Sequence, residues 1–317
     1  RRLAIYAVLN EVLKTLDILI HPFCPYTSEH LYQTVFEGKQ SILLDKWPQY
    51  EESLVNEKIE ESFDIMKDVV SISSAARMKG KLKRRWPLNE AQICVKKNQK
   101  IKLESLSDLL KSQLNVEKFN IVETEKESGL EQLLELKELG LPVKSTLELE
   151  RKKIGPKAKQ HMGKLVTTFS ETDPDEIILS IQKDGKYDFK IDDEIISLDK
   201  EDFIVDFDSK ENFAVAKREG FVVFISTSRN KEMMAKGLVK DIARRLQTLR
   251  KERGYNPTDV LEVASILELD GESLEMIKGR DEELAFLVRV KKVNFEESCK
   301  EYKDDDIDGQ KIKIAVE

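Results

Sequence analysis

Chemistry at neutral pH needs nucleophiles, titratable bases or metal ligands held close together, and this sequence offers few. Its three histidines (His21, His30, His161) and three cysteines (Cys24, Cys94, Cys299) are widely scattered. With no C-x-x-C and no histidine pair, neither a structural zinc site nor a disulfide framework is expected, and a reducing compartment fits. There is no G-x-x-x-x-G-K-[ST], no G-x-G-x-x-G and no G-x-S-x-G, so the loops that cradle phosphates or present a serine nucleophile are missing. Gly155-Pro156-Lys157 and Gly163-Lys164 lie in a basic stretch but lack the loop spacing. His21, before Pro22, is read as closing a helix, His30 as lying on a solvated helix face, and His161 as a surface residue among lysines. Cys24, in an apolar turn, is predicted to be buried. The acids Asp304 to Asp308 superficially resemble a cation loop but lack its closing glutamate, and a solvated turn is the better reading. No catalytic constellation emerges, and no metal or cofactor is expected within the chain.

What remains is positive charge in blocks. Net charge is -7, yet Arg77, Lys79, Lys81, Lys83, Arg84, Arg85, Lys96, Lys97, Lys100 and Lys102 face Glu90 alone over 77–102. A second acid-free block holds Arg151, Lys152, Lys153, Lys157, Lys159 and Lys164, and a third runs from Arg229 through Arg244, Arg245, Arg250, Lys251 and Arg253. Acids gather in 171–211 and 296–308. Local patches set the field that a phosphate backbone meets. Trp86, inside the first block, is a candidate base-stacking platform or a core tryptophan. Lys240, Arg244, Gln247 and Lys251 share a helix face, where Arg244, Arg245 and Gln247 have the chemistry to meet phosphates or base edges. A merely solvated charged face is the competing reading of each block.

The elements that must position these residues follow from periodicity. At 317 residues with 40% hydrophobic content, two or three domains are expected. Leu3, Val8, Leu9, Val12, Leu13, Leu16, Leu19 and Ile20 form a helical stripe broken at Pro22 and Pro25. A second helix, capped by Thr27 or Ser28, ends near Gly38. Ser41 to Trp47 reads as extended, and a third helix spans 52–79; together they predict a bundle over residues 1–80. Residues 81–142 predict a small mixed unit with strands at 91–95 and 116–122 and a helix at 103–114. Residues 143–317 predict an α+β domain: helices at 156–169, 174–182, 230–251, 271–278 and 281–287, and an antiparallel meander of five short strands between 186 and 226. Helix, basic exit, strand, helix, strand occurs twice, once around Arg84-Arg85-Trp86-Pro87 and again around Arg250 to Pro257. A duplicated module would give two related surfaces able to grip one extended ligand.

At this point the sequence resembles a known family. Ile20-His-Pro-Phe-Cys-Pro-Tyr-Thr-Ser-Glu29-His-Leu-Tyr32, followed by Leu44-Asp45-Lys46-Trp47-Pro48, is similar to the anticodon-binding bundle of class I aminoacyl-tRNA synthetases of the isoleucyl, valyl and leucyl group. Arg77 to Leu88, Ile154-Gly-Pro-Lys157 and Leu238 to Lys251 look like the archaeal and eukaryotic isoleucyl type. The H-I-G-H and K-M-S-K-S signatures are absent. Lys236-Gly237 and Arg244-Arg245 stand where the family often has Glu-Gly and Arg-Glu.

The resemblance implies a C-terminal piece of a longer enzyme, inactive alone, whose absent catalytic part uses ATP with magnesium to join isoleucine to its tRNA. It implies a cytoplasmic, monomeric protein that binds isoleucine tRNA, not DNA or membrane. The expected RNA contacts are Arg77, Lys79, Lys81, Lys83, Arg84, Arg85, Trp86, Lys157, Arg244, Arg245, Gln247, Arg250 and Lys251. Valyl or leucyl identity, or a protein-interaction scaffold, are the alternatives.

Overall fold

The computed structural model describes residues 2–36, 40–192, 194–307 and 309–317, and the chain forms two compact units, 1–57 and 58–317. The first contains α1 (Arg2–Ile20) and α2 (Pro25–Val35) with short 3-10 turns at Ile42–Leu44 and Glu52–Leu54. Pro25 takes the first position of α2, where its missing N–H costs nothing. Cys24 is therefore the N-cap, not Thr27 or Ser28, and it is exposed rather than buried. Ser28 instead turns inward, donating to the Cys24 carbonyl at 2.9 Å and meeting His21 Nδ1 at 2.9 Å. The expected helix end at Gly38 lies outside the described residues. The stretch expected to be extended closes into a 3-10 turn because the Ser41 hydroxyl accepts from the Leu43 N–H.

Fully buried Tyr32 donates to Asp45 at 2.6 Å, and Lys14 pairs with the same carboxylate at 2.9 Å. These bonds hold the Asp45 carboxyl below the ordinary carboxylate range. The α1 stripe from Leu3 to Ile20 remains exposed. No described helix is long and apolar enough to cross a membrane.

The second unit opens with α3 (Glu57–Lys79), β1 (Leu88–Val95), α4 (Lys97–Glu104), α5 (Ser107–Leu114) and β2 (Val116–Glu123). Next come α6 (Gly129–Glu138), β3 (Val143–Leu149), α7 (Arg151–Ala158), α8 (Met162–Glu171), α9 (Pro174–Asp184), β4 (Lys186–Ile191), β5 (Glu194–Asp199) and β6 (Phe203–Ser209). The chain then forms β7 (Phe213–Arg218), β8 (Phe221–Ser226), α10 (Lys231–Glu252), β9 (Leu261–Leu267), α11 (Gly271–Ile277) and α12 (Asp281–Val288). It closes with β10 (Val290–Asn294), β11 (Lys303–Ile307) and β12 (Gln310–Val316).

The strands do not form a single meander. One sheet has the order β2-β1-β8-β7, another β10-β9-β12-β11, while β3 pairs with β6 and β4 with β5. The reason lies in β8, Phe-Val-Val-Phe-Ile-Ser, which is buried at every position and so needs cover on both faces. Val223 and Ile225 face a core built with Val69, Ile72 and Ala76 of α3 and with Leu103 and Leu110. Val222 and Phe224 join Cys94 in a second core with α6 to α9. Residues 81–142 and 143–317 thus share a sheet, and α3 buries its apolar face within the second unit.

The duplication suggested by the sequence is present in the topology. Both four-stranded sheets contain a parallel pair reached through two short helices, plus an antiparallel hairpin on its inner strand. Leu88 pairs with Val116, and Leu261, 173 positions further on, pairs with Val290. In the first copy the α6–β6 lobe is inserted between β2 and β7; in the second, only a short link precedes β11.

Candidate nucleic-acid interface

The first basic block is organised by the exit of α3. Arg77 is 4% exposed. Its Nη1 donates to the Lys83 and Trp86 carbonyls and its Nη2 to those of Leu114 and Asn115, at 2.8–3.2 Å. It clamps the 83–86 turn to the end of α5 and has no face for phosphate. Burial pushes its pKa down to about 10, with the nearby Arg229 and Arg84 charges adding to the effect.

Arg250 repeats this role at the end of α10. It is 6% exposed and donates to the Val288, Arg289, Asn256 and Asp259 carbonyls, each 173 or 174 positions beyond its counterpart around Arg77. Both arginines are staples whose donors are taken by backbone carbonyls and that set the shape of the turns carrying the exposed cations.

Trp86 is likewise interior, at 8% exposure. Its Nε1 donates to Asp241 Oδ2 at 2.8 Å, and Lys83 Nζ approaches the same oxygen at 3.0 Å. The α10 backbone lies against the ring at Gly237, where a Cβ would stand 2.5 Å from Trp86 Cδ2. The Arg229 guanidinium sits 4.8 Å from the ring centroid. Trp86 therefore mortises the first module to α10 and offers no open stacking face.

This joint brings two sequence-distant basic blocks together. A cavity of about 570 Å³ is lined by Lys83, Arg84, Arg85, Asp241, Arg244, Arg245 and Asp306. Lys83 is engaged by Asp241. Arg245 donates to the Asp306 and Asp241 carbonyls and lies 3.5 Å from Asp305. Arg84, Arg85 and Arg244 are exposed and form no ion pair with a described carboxylate, so cations outnumber the two acids, Asp241 and Asp306, that line the cavity. Asp304, Asp305 and Asp306 of the acid cluster belong to β11, paired with β12, instead of a free turn, and Asp308 lies outside the described residues.

Lys79 and Lys81 are exposed at the α3 exit, Lys81 in a left-handed conformation with φ 53°. Lys157 does not join them. It sits in the inserted lobe, pairing with Asp199 at 3.0 Å and with buried Asp202, because the 151–164 block packs beside the acidic 192–202 segment. His161 there lies 3.4 Å from Glu194. Gln247 and Lys251 line a separate cavity around Arg250.

Arg229, legible in the sequence only as the start of the third basic block, lies over Trp86, a position set by the β8–α10 turn, and Arg289 sits at the end of α12. The sequence reading left Lys240 out of the site. Lys240 reaches Asn115 Oδ1 at 3.4 Å, and burial lowers its pKa.

Residues 1–93 match the family described as the anticodon-binding domain of tRNA ligase. Over those residues the chain is similar to that family. Beyond that segment, similarity extends along the whole length. The isoleucine–tRNA ligase of Methanocella arvoryzae is 27% identical over 330 aligned positions, covering 100% of this chain and 28% of the relative. That of Pyrococcus furiosus is 27% identical, covering 94% of the chain and 26% of the relative. That of Clostridium kluyveri is 28% identical, covering 98% and 29%. The chain therefore spans under a third of the length of the curated relatives it matches.

Proposed function

We propose that this chain docks the anticodon stem-loop of an isoleucine-accepting tRNA, and that the protein containing it joins isoleucine to that tRNA with ATP. The ATP and its magnesium belong to a part outside this chain, which has no catalytic activity alone. The observation that carries the reading is the cationic cavity, where Arg84 and Arg85 from one module meet Arg244 from the other. Three guanidinium groups around one opening suit the phosphates of a tightly folded hairpin. Such contacts fix register and contribute salt-sensitive affinity, while bases splayed from the loop carry the sequence information. Lys79 and Lys81 extend the positive surface along the helix exit.

Adding the purified chain to aminoacylation reactions for isoleucine, valine and leucine tests the assignment. Inhibition confined to the isoleucine reaction, relieved by excess isoleucine tRNA, is expected. Equal inhibition of all three, or none, would contradict it.

A further inference from the structure

The two modules diverge at one place that the duplication makes visible. In the first copy, the ground beside the Arg77 staple is covered by α10, through Asp241 on Lys83 and Trp86, Lys240 on Asn115, and Gly237 on the indole ring. At the corresponding place in the second copy there is instead a cavity of about 470 Å³ around the Arg250 staple. Its rim carries Gln247, Lys251, Tyr255, Asn256 and Arg289. No lining residue is acidic.

The exchanges between the copies redistribute the charged and polar groups, Lys83 and Arg84 of the first copy being answered by Asn256 and Pro257. Ser74, Met78, Leu82 and Asn115 of the first copy are answered by Gln247, Lys251, Tyr255 and Arg289 in the second. The face of the second copy has gained an aromatic ring and carries its amide at Gln247 and its outer cations at Lys251 and Arg289. Gln247 is oriented by donating from Nε2 to the Leu287 carbonyl at 2.8 Å, which leaves its Oε1 to accept from a ligand. Half-buried Tyr255 packs on the module core, so its ring is held in place. A volume of this size suits a small-ligand site, commonly about 300–1,000 Å³.

We propose that this cavity takes one unstacked nucleotide of the bound RNA. Its base lies on Tyr255, its edge meets the Gln247 amide, and its flanking phosphates meet Lys251 and Arg289. The inference rests on the reading that the chain binds an RNA hairpin, and it adds a base-recognising site separate from the Arg84–Arg85–Arg244 cavity. An acidic helix from a partner protein would suit the two cations, but it gives no role to the ring and the amide.

The test uses the full 317-residue chain and an isoleucine anticodon stem-loop carrying 2-aminopurine at each loop position in turn. One position should change fluorescence on binding to the unaltered chain and to Tyr255→Phe, and not on binding to Tyr255→Ala. Because base–aromatic stacking and edge contacts are strong, hairpin affinity should fall on the order of tenfold in Tyr255→Ala. Exposed Gln247→Ala, which leaves the core intact, should weaken binding in the same direction. Its salt dependence should be unchanged, because no phosphate contact is removed. Unaltered affinity and fluorescence in both variants would overturn the proposal and leave the cavity to a protein helix, while hairpin binding through the other cavity would stand. Failure of the unaltered chain to bind any hairpin would overturn both readings.

Discussion

At Gly237 the α10 backbone and the Trp86 ring leave no room for a side chain. Gly237→Ala therefore forces the helix away from the indole and strains the Asp241 hydrogen bonds. Overpacking of this kind costs roughly 1–3 kcal/mol, measurable as a lower urea midpoint. Arg77→Met and Arg250→Met remove the donors for four buried or part-buried carbonyls each. Each should cost on the order of 3 kcal/mol in chemical denaturation, and the two losses should be similar because the staples are equivalent. In the first unit, Asp45 has a folded pKa below its ordinary value. Its stabilisation is therefore complete above the usual carboxylate range and is lost as pH falls from that range through the lower folded pKa. Acid unfolding of that unit, followed by circular dichroism, should begin at higher pH in the unaltered chain's Tyr32→Phe variant, which has lost one of the bonds holding the carboxylate ionised. The residue types alone did not disclose these roles: Arg77, Trp86 and Arg250 look like RNA ligands in a basic run, and only the long-range carbonyls and Asp241 reveal them as interior fastenings.

At the level of elements, most of the helices and strands were legible from periodicity, including β4 to β8 and the paired helices α11 and α12. Partnering was not. Alternation shows that a strand has an inner face, but β8 has two inner faces, and its partners follow from which neighbours can cover both. Phe224 is fully buried on the side that meets the inserted lobe. Phe224→Ala should cost about 3–5 kcal/mol and should loosen the α6–β6 lobe, detected as faster hydrogen exchange there than in α10. The basic 151–164 block misled for a similar reason. Lys153, Lys157 and Lys164 are answered by acids some 28 to 48 positions later, a pairing that only the fold brings about. The repeated order of helix, strand, helix and strand was legible, whereas the hairpin that completes each copy was concealed by the inserted lobe in one of them.

Across the whole molecule, positive charge survives in excess at the junction of the two modules, where the chain brings residues from the first and third basic blocks to one opening. Lys153, Lys157 and Lys164 of the inserted lobe pair with acids of the same lobe, so charge is separated locally in a chain of net charge -7. The most direct measurement is hairpin affinity across a salt series for the unaltered chain and for an Arg84→Ala/Arg85→Ala/Arg244→Ala variant. Each lost phosphate contact should flatten the logarithmic salt dependence by about 0.7–0.9, so the triple variant should flatten it by roughly 2. An unchanged slope, whatever the absolute affinity, would contradict the claim that these three arginines hold the RNA backbone.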